Sequence, residues 1–200
     1  MIFSTHRAVA IAATACAFLA AGSVAAQEVY VLDANHTIPM YEVTHIGFSV
    51  QRGTFNNVSG RVTLDRAAKK STMDIVIATA SVVPTLPRMM ASMKGEDFFN
   101  VEKFPTMTYK STDLEFDGDQ LVGVKGELTL LGVTQPVALK VTNFKCGTHP
   151  FNKRPMCGGE ATTTIKRSEF GMKYGLPMVA SDEVKITIPF EGIREQGNAG

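Results

Sequence analysis

Three cysteines and four histidines are the side chains best suited to metal binding or nucleophilic chemistry. Cys146 and Cys157 bracket a segment rich in turn-forming residues, and His149 lies between them. Zinc sites built on cysteine usually carry a paired C-x-x-C spacing, which this segment lacks. We therefore expect a disulfide between Cys146 and Cys157, with a metal site that includes His149 as the alternative. Closing this loop should stabilise the fold by about 3 kcal/mol.

His36 and His45 are the other histidines in the body of the chain, and their spacing does not favour a shared site. Pro39 lies between them, so strand alternation does not reliably bring both to one face. Hydrogen-bonded structural roles are favoured over metal coordination. The sequence also lacks G-x-S-x-G, H-E-x-x-H, G-x-G-x-x-G and Walker motifs. We therefore predict no catalytic residue, no metal ligand and a protein that is not an enzyme.

The N-terminal 26 residues have the pattern of a secretory signal peptide. Arg7 precedes an uncharged apolar run over 8–21, and Val24-Ala25-Ala26 before Gln27 fits the small-residue rule for cleavage. This run is shorter than the ~20 residues that a transmembrane helix needs. We therefore expect cleavage after residue 26, with Cys16 lost, and a mature protein in the periplasm. A retained membrane anchor is the alternative.

The charge balance argues against nucleic acid as a partner. Lysine and arginine total 20 against 19 aspartate and glutamate, and the chain has no tryptophan. Binding to phosphates requires clustered cations, which are absent here. No stretch after the N-terminal segment is apolar enough to span a membrane, so we expect the mature protein not to be membrane-spanning.

Apolar and polar residues alternate with a period of two along much of the chain, which is typical of half-buried strands. Tight turns are predicted at Asp117-Gly118-Asp119 and at Leu131-Gly132-Val133-Thr134. Pro189 lacks an amide hydrogen, so its strand should meet an edge or a bulge there. Strands at this spacing favour a sandwich or barrel. The clearest runs are 61–65, 73–83, 106–111, 122–130, 137–144 and 184–191.

One stretch, residues 86–99, breaks the strand pattern and predicts a short helix. Pro87 suits a first helical turn, and Met89, Met90 and Met93 fall on adjacent positions of one helix face. The chain is rich in such soft apolar residues, with ten methionines and twelve phenylalanines. Methionine adapts to irregular surroundings, so these side chains either line a ligand cavity or fill an ordinary core. An eight-stranded barrel permits both.

Several short motifs, taken in order, resemble the YceI-like family of periplasmic polyisoprenoid-binding proteins. The resemblance runs from Tyr30 to about Glu195 and is most specific over 126–137. The matching positions are Tyr30-x-Leu32-Asp33, His45-x-Gly47-x-Ser49, Gly53-x-Phe55, Gly60, Asp65, Ala80-Ser81-Val82, Asp97-Phe98-Phe99-Asn100, Phe104-Pro105, Tyr109-x-Ser111, Gly126-x-Leu128-Thr129-Leu130-x-Gly132-Val133-Thr134-x-Pro136-Val137 and Phe170-Gly171.

The resemblance implies an all-β fold: an extended eight-stranded antiparallel lipocalin-like β-barrel over 27–195, with one short helix at about 86–99. Residues 196–200 are expected to be a loose tail. The implied function is binding of a long isoprenoid chain or quinone-type tail in a barrel tunnel, by a carrier or sequestering protein with no other cofactor. Met89 and Met90 replace an acidic and a basic residue that are usual in the family, and Met93 replaces the usual leucine. The cysteine-bracketed loop is not general to the family.

Strand parity and the motif register together predict the residues that contact the ligand. Of these, Tyr41, Tyr109 and His45 are the candidates to bond a head group. The predicted lining residues are Tyr41, Val43 and His45 (with Gly47 and Ser49 continuing the same face), Met107 and Tyr109, Ile186, and Phe55, Met90, Met93, Phe99 and Phe170 from the flanks.

Two other functions and one assembly remain open from the sequence. The barrel of a stress-related interaction protein would be filled by its own side chains. An enzyme acting on an isoprenoid lipid would need a site assembled from distant residues. A homodimer would form through exposed sheet edges.

Overall fold

The computed structural model describes residues 27–65 and 70–196. The expected signal peptide at 1–26 lies outside these residues, as does the tail from 197 onwards. All strand pairings are antiparallel. The elements are β1 (Glu28–Leu32), β2 (Met40–His45), β3 (Ser49–Phe55), β4 (Val58–Asp65), β5 (Lys70–Ala78), β6 (Val82–Pro84), α1 (Met90–Lys94), β7 (Thr106–Asp117), β8 (Gln120–Leu130), β9 (Val133–Thr148), β10 (Pro155–Lys166) and β11 (Ala180–Arg194).

Eight strands close into a ring, which confirms the predicted barrel. Their order is β1, β4, β5, β7, β8, β9, β10 and β11, and β11 pairs back onto β1 through Tyr30 and Arg194. Closure gives every strand of the ring two neighbours, so the backbone groups of the ring are satisfied within the sheet. β2, β3 and the three-residue β6 extend the sheet from β11.

β11 changes its partner halfway along its length. Its first half pairs with β2, as in Ile186 opposite Tyr41, and its last residues pair with β1. Pro189 lies between these two ladders, where its missing amide hydrogen costs no strand pairing. The Thr37 hydroxyl fills part of the gap, with its Oγ1 3.2 Å from the Glu191 amide nitrogen. The strand edge predicted at Pro189 is therefore limited to the short gap between the β2 and β1 ladders.

Two hairpins form at the predicted turns, and the second is tighter than predicted because Val133 and Thr134 already belong to β9. Leu131 and Gly132 have φ angles of 52° and 76°, and the flanking residues Leu130 and Val133 pair directly. Two successive positive φ angles are typical of the type I′ turn, whose twist matches that of paired strands. Gly118 has φ 58° in the turn between β7 and β8. These turns set the register of β7, β8 and β9. Successive side chains on these strands point alternately into the barrel and to its exterior.

The helix is shorter than the predicted 86–99. A 3-10 turn at Pro87–Met89 leads into α1. The helix ends at Lys94 and is capped by Gly95, whose amide donates to the carbonyls of Ala91 and Ser92. Gly95 has extended backbone angles, so the following residues form turns instead of a further helical turn. Phe99 lies in these turns and packs edge-on against Phe55, with ring centroids 5.1 Å apart.

The predicted disulfide is present. Cys146 and Cys157 are direct partners on β9 and β10, and their sulfur atoms are bonded. The two sulfurs are therefore not available as thiolate ligands for the alternative metal site. The bond joins the two strands next to the hairpin that carries His149.

Replacing both cysteines with alanine should lower the free energy of unfolding by about 3 kcal/mol, because the bridge restricts the unfolded chain. Urea unfolding of the double variant Cys146→Ala/Cys157→Ala and of the oxidised wild type measures this difference. Fully reduced wild type serves as the control, and equal midpoints for the oxidised and reduced forms would contradict the expectation.

Candidate ligand-binding cavity

A large apolar cavity runs along the barrel interior. Its volume is about 700 Å³, within the range of small-molecule binding sites. Every strand of the closed ring contributes to its wall. Representative wall residues are Leu32 on β1, Val62 on β4, Ile75 on β5, Leu114 on β7, Leu128 on β8, Val141 on β9, Ala161 on β10 and Ile188 on β11.

Most of the predicted lining residues lie on this wall. They are Tyr41, Val43, His45, Phe55, Met93, Phe99, Met107, Tyr109 and Ile186. Their places follow from strand alternation, since residues two apart on a strand point to the same side of the sheet. Whether they contact a ligand remains a prediction.

Met90 and Phe170 are not on the wall. Met89 and Met93, four residues apart, both line the cavity, whereas Met90 does not. Successive helical residues point about 100° apart, so Met90 is turned away from Met89. Phe170 belongs to a 3-10 turn and is only 1% exposed, packed within the core. Gly47 lies in the turn between β2 and β3 and does not continue the face of β2.

Sequence reasoning missed much of the wall on β8 and β9. Both segments alternate apolar and polar residues and were identified as strands, so the signal was present, but their inward faces were not assigned to the cavity. The residues concerned are Leu121, Val124, Leu128, Leu130, Val137, Leu139, Val141 and Phe144. Arg167 and Tyr174, which also reach the wall, gave no pattern that marks them.

Two large tyrosine rings lie against glycines on neighbouring strands. A Cβ on Gly53 would come within 2.5 Å of Tyr41 Cζ, and one on Gly126 within 2.5 Å of Tyr109 Cζ. Each ring therefore occupies the space of a missing side chain, as aromatic residues do beside strand glycines. The rings lie along the wall, which leaves the middle of the barrel open. In the same way, the Ile75 side chain lies over Gly60 and the Phe190 ring lies over Gly159.

The two tyrosine hydroxyls have different surroundings. Tyr109 donates to the Val137 carbonyl at 2.9 Å, and burial raises its pKa. This bond engages its proton and argues against the predicted head-group contact. Burial raises the pKa of Tyr41 to about 12, so this hydroxyl stays protonated at neutral pH. No residue that the structure describes accepts a hydrogen bond from it, which leaves Tyr41 able to donate into the cavity.

Arg167 holds the chain segment 172–180 at one end of the cavity. The side chain is buried, and burial lowers its pKa while the Asp182 carboxylate opposes this shift. Its guanidinium is largely occupied by backbone carbonyls, so its main role is to position this segment. The acceptors are the carbonyl oxygens of Met172, Tyr174, Ala180 and Ser181.

His36 lies outside the cavity, in the connection between β1 and β2. Its Nδ1 is 2.7 Å from Asp33 Oδ2, and this contact raises the pKa of His36 and lowers that of Asp33. Glu191 completes a group whose potential ligand atoms lie within 4.8 Å of one another. The Asp33 contact fits the hydrogen-bonded role expected for His36.

A closed eight-stranded barrel around an elongated apolar cavity defines a lipocalin-like binding barrel. Residues 30–192 match the model of the YceI-like domain, and the chain belongs to this family. Within the described ranges, no helix has the length and hydropathy to cross a bilayer.

Curated relatives cover most of the chain. Protein YceI of Escherichia coli O157:H7 is 34% identical over 182 residues, which is 90% of this chain and 93% of the relative. A UPF0312 protein of Shewanella sp. strain W3-18-1 is 34% identical over 169 residues, covering 83% of this chain and 87% of the relative.

Solved structures share the fold. BcnA of Burkholderia cenocepacia superposes with a TM-score of 0.64 at 22% identity, covering 80% of this chain and 98% of BcnA. A polyisoprenoid binding domain from Saccharophagus degradans superposes with a TM-score of 0.60 at 18% identity, covering 83% and 98%.

The Gly53→Ala variant should displace the Tyr41 ring into the cavity, because the atoms nearest to the new methyl all belong to that side chain. Overpacking of this kind costs ~1–3 kcal/mol, so an apolar fluorescent probe should bind about tenfold more weakly. Gly147→Ala is the matched control, since nothing lies within 4 Å of its added methyl. Equal probe affinity in the two variants would show that the position of the Tyr41 ring does not limit the volume of the cavity.

The Arg167→Met variant should lower the free energy of unfolding by about 3 kcal/mol, since it leaves several buried carbonyls without donors. Hydrogen exchange should rise over 172–180. Arg61→Met is the control, because Arg61 makes an exposed pair with Glu195 and should cost less than about 1 kcal/mol. Similar losses in both variants would argue against the positioning role.

Proposed function

We propose that this protein binds a long-chain isoprenoid, or a similarly extended apolar lipid such as a quinone tail, within the barrel. The observation that carries the proposal is the 700 Å³ apolar cavity enclosed by the ring of strands. The protein acts as a periplasmic carrier or as a sequestering protein. It performs no covalent chemistry on its ligand.

The size of the cavity supports a ligand rather than a packing defect. Unfilled apolar space is costly in a protein interior, because the side chains that line it lose dispersion contacts on one side. A hydrocarbon chain inside it recovers those contacts and gains ~0.8 kcal/mol for each methylene removed from water. A side-chain-filled barrel, the alternative considered from the sequence, does not fit this volume.

The polar groups on the wall fit recognition of one small head group. The Tyr41 hydroxyl is available as a donor, whereas the hydroxyl of Tyr109 and most of the Arg167 guanidinium are engaged by backbone carbonyls. His36 lies outside the cavity, so the histidines do not form a pair within it. This arrangement favours binding over an enzyme that acts on the lipid.

The Saccharophagus degradans neighbour supports the ligand class, since it is described as a polyisoprenoid binding domain. The signal-peptide pattern over 1–26 and the Cys146–Cys157 disulfide support the periplasm, because disulfides persist in oxidising compartments. The homodimer remains a prediction. Ring closure leaves the short β6 as the end strand of the described sheet, so a dimer formed by strand pairing would use that edge.

Extraction of the purified protein with organic solvent, followed by mass spectrometry, should recover an apolar lipid. Adding a prenyl lipid to stripped protein should raise the Tm with concentration, because the lipid binds only the folded state. Failure of both measurements would contradict the proposal.

A variant that fills part of the cavity tests whether the lipid binds there. Ala161 lies on the wall and Ala138 on the outer face of β9, so Ala161→Phe narrows the cavity while Ala138→Phe adds the same group outside. Prenyl-lipid affinity should fall about tenfold or more in the first variant, by overpacking of the bound state. It should be unchanged in the second, and equal losses would place the lipid elsewhere.

A further inference from the structure

Two loop tips at one end of the barrel carry exposed apolar side chains. Phe48, in the turn between β2 and β3, is 92% exposed, and Met178, just before β11, is 81% exposed. Ile46 is 51% exposed beside Phe48. Large apolar side chains that are exposed to solvent and lie close together generally mark an interaction surface.

The two tips do lie together. The amide of Ile46 donates to the Val179 carbonyl at 3.0 Å, and His45 pairs with Ala180 across β2 and β11. The apolar residues of both tips therefore form one surface, which we call the mouth rim. The mouth rim consists of Ile46, Phe48, Val50, Tyr174, Met178 and Val179, all of them exposed.

The mouth rim continues into the cavity wall. Tyr174 and Val179 belong to both, and His45 lines the cavity next to the turn that carries Phe48. Through Tyr174 and Val179, an apolar surface therefore extends from the barrel interior to the outside, with His45 beside it. A hydrocarbon chain that enters or leaves at this end passes over it.

Cations without ion-pair partners adjoin the mouth rim. Arg88 lines the cavity and is exposed, and Lys173 lies between Met172 and Tyr174. Neither forms a salt bridge within the described ranges, whereas Arg52 nearby pairs with Glu42 at 2.9 Å. Free cations around an apolar patch complement anionic lipid head groups.

The size and shape of the mouth rim favour a bilayer over a protein. A stable protein interface uses about 20–30 residues on each side, far more than two loop tips supply. Protruding apolar tips with cations beside them match the pattern of membrane-surface binding, where apolar groups enter the boundary between head groups and acyl chains.

We propose that the mouth rim docks on a lipid bilayer, with Phe48 and Met178 inserted, so that the ligand passes between the membrane and the cavity without crossing water. The nature of the cargo rests on the proposed function; the docking itself does not. The proposal predicts that loss of the two tips weakens vesicle binding and slows lipid transfer while leaving the cavity intact.

Flotation with phosphatidylethanolamine vesicles containing phosphatidylglycerol tests the docking. The Phe48→Ser/Met178→Ser variant should bind vesicles at least about tenfold more weakly than wild type, from the apolar area that it no longer buries. Phe151→Ser is the control, because Phe151 is 87% exposed but lies in the hairpin between β9 and β10, at the opposite end of the barrel. Neither Phe48 nor Met178 is on the cavity wall, so Tm and binding of a short prenyl alcohol in free solution should match wild type.

The outcomes separate the two proposals. Equal flotation of wild type and the tip variant, or no flotation of wild type, would overturn docking even if the prenyl alcohol binds. Flotation that depends on the tips without prenyl binding would uphold docking and contradict the lipid cargo. A tip variant that loses self-association, with no change in vesicle binding, would assign the mouth rim to a second copy of the chain and overturn the proposal.

Discussion

The barrel has to close its sheet while keeping its interior open, and the rest of the structure depends on how that constraint is met. Inward-facing side chains of ordinary size tend to fill an eight-stranded barrel. Here Gly53 and Gly126 leave space on the wall that the rings of Tyr41 and Tyr109 occupy. The rings lie along the wall, and their apolar faces line the cavity without plugging it. Large side chains therefore add apolar surface to the site and remove little of its volume.

The opening of the cavity follows from the partner change of β11. At one end β1 closes the ring against β11, and at the other end β2 and β3 take its place beside α1 and the segment 172–180. Regular hydrogen bonding between strands does not fix that segment, and the buried Arg167 holds it through backbone carbonyls instead. The same end carries the exposed tips. The least regular part of the fold therefore contains both the opening of the cavity and the proposed membrane contact.

Local sequence patterns were enough to predict most of the strands, the hairpin turns and the disulfide, because alternation, turn-forming glycines and paired cysteines act over short distances. They did not mark β1 or β10, and they merged β5 and β6 into one run. The eight-stranded closure came from the family resemblance, since nothing local says that β1 meets β11. The helix was placed too long because Gly95 was not treated as its end. Met90 and Phe170 were assigned to the cavity from motif position alone, whereas one turns away on its helix and the other is packed in the core. Arg167 was missed because its acceptors are backbone carbonyls. Every residue type carries this group, so the sequence does not show which residues accept from Arg167.

In the proposed function, a hydrocarbon chain lies inside the ring of strands. Photo-crosslinking with a prenyl lipid that carries a diazirine at the end away from its head group tests this most directly, with the labelled residues mapped by mass spectrometry. We expect labels on inward residues of the wall such as Leu128, Val141 and Ile188. Labels confined to outward residues such as Val76 and Val122 would contradict the account.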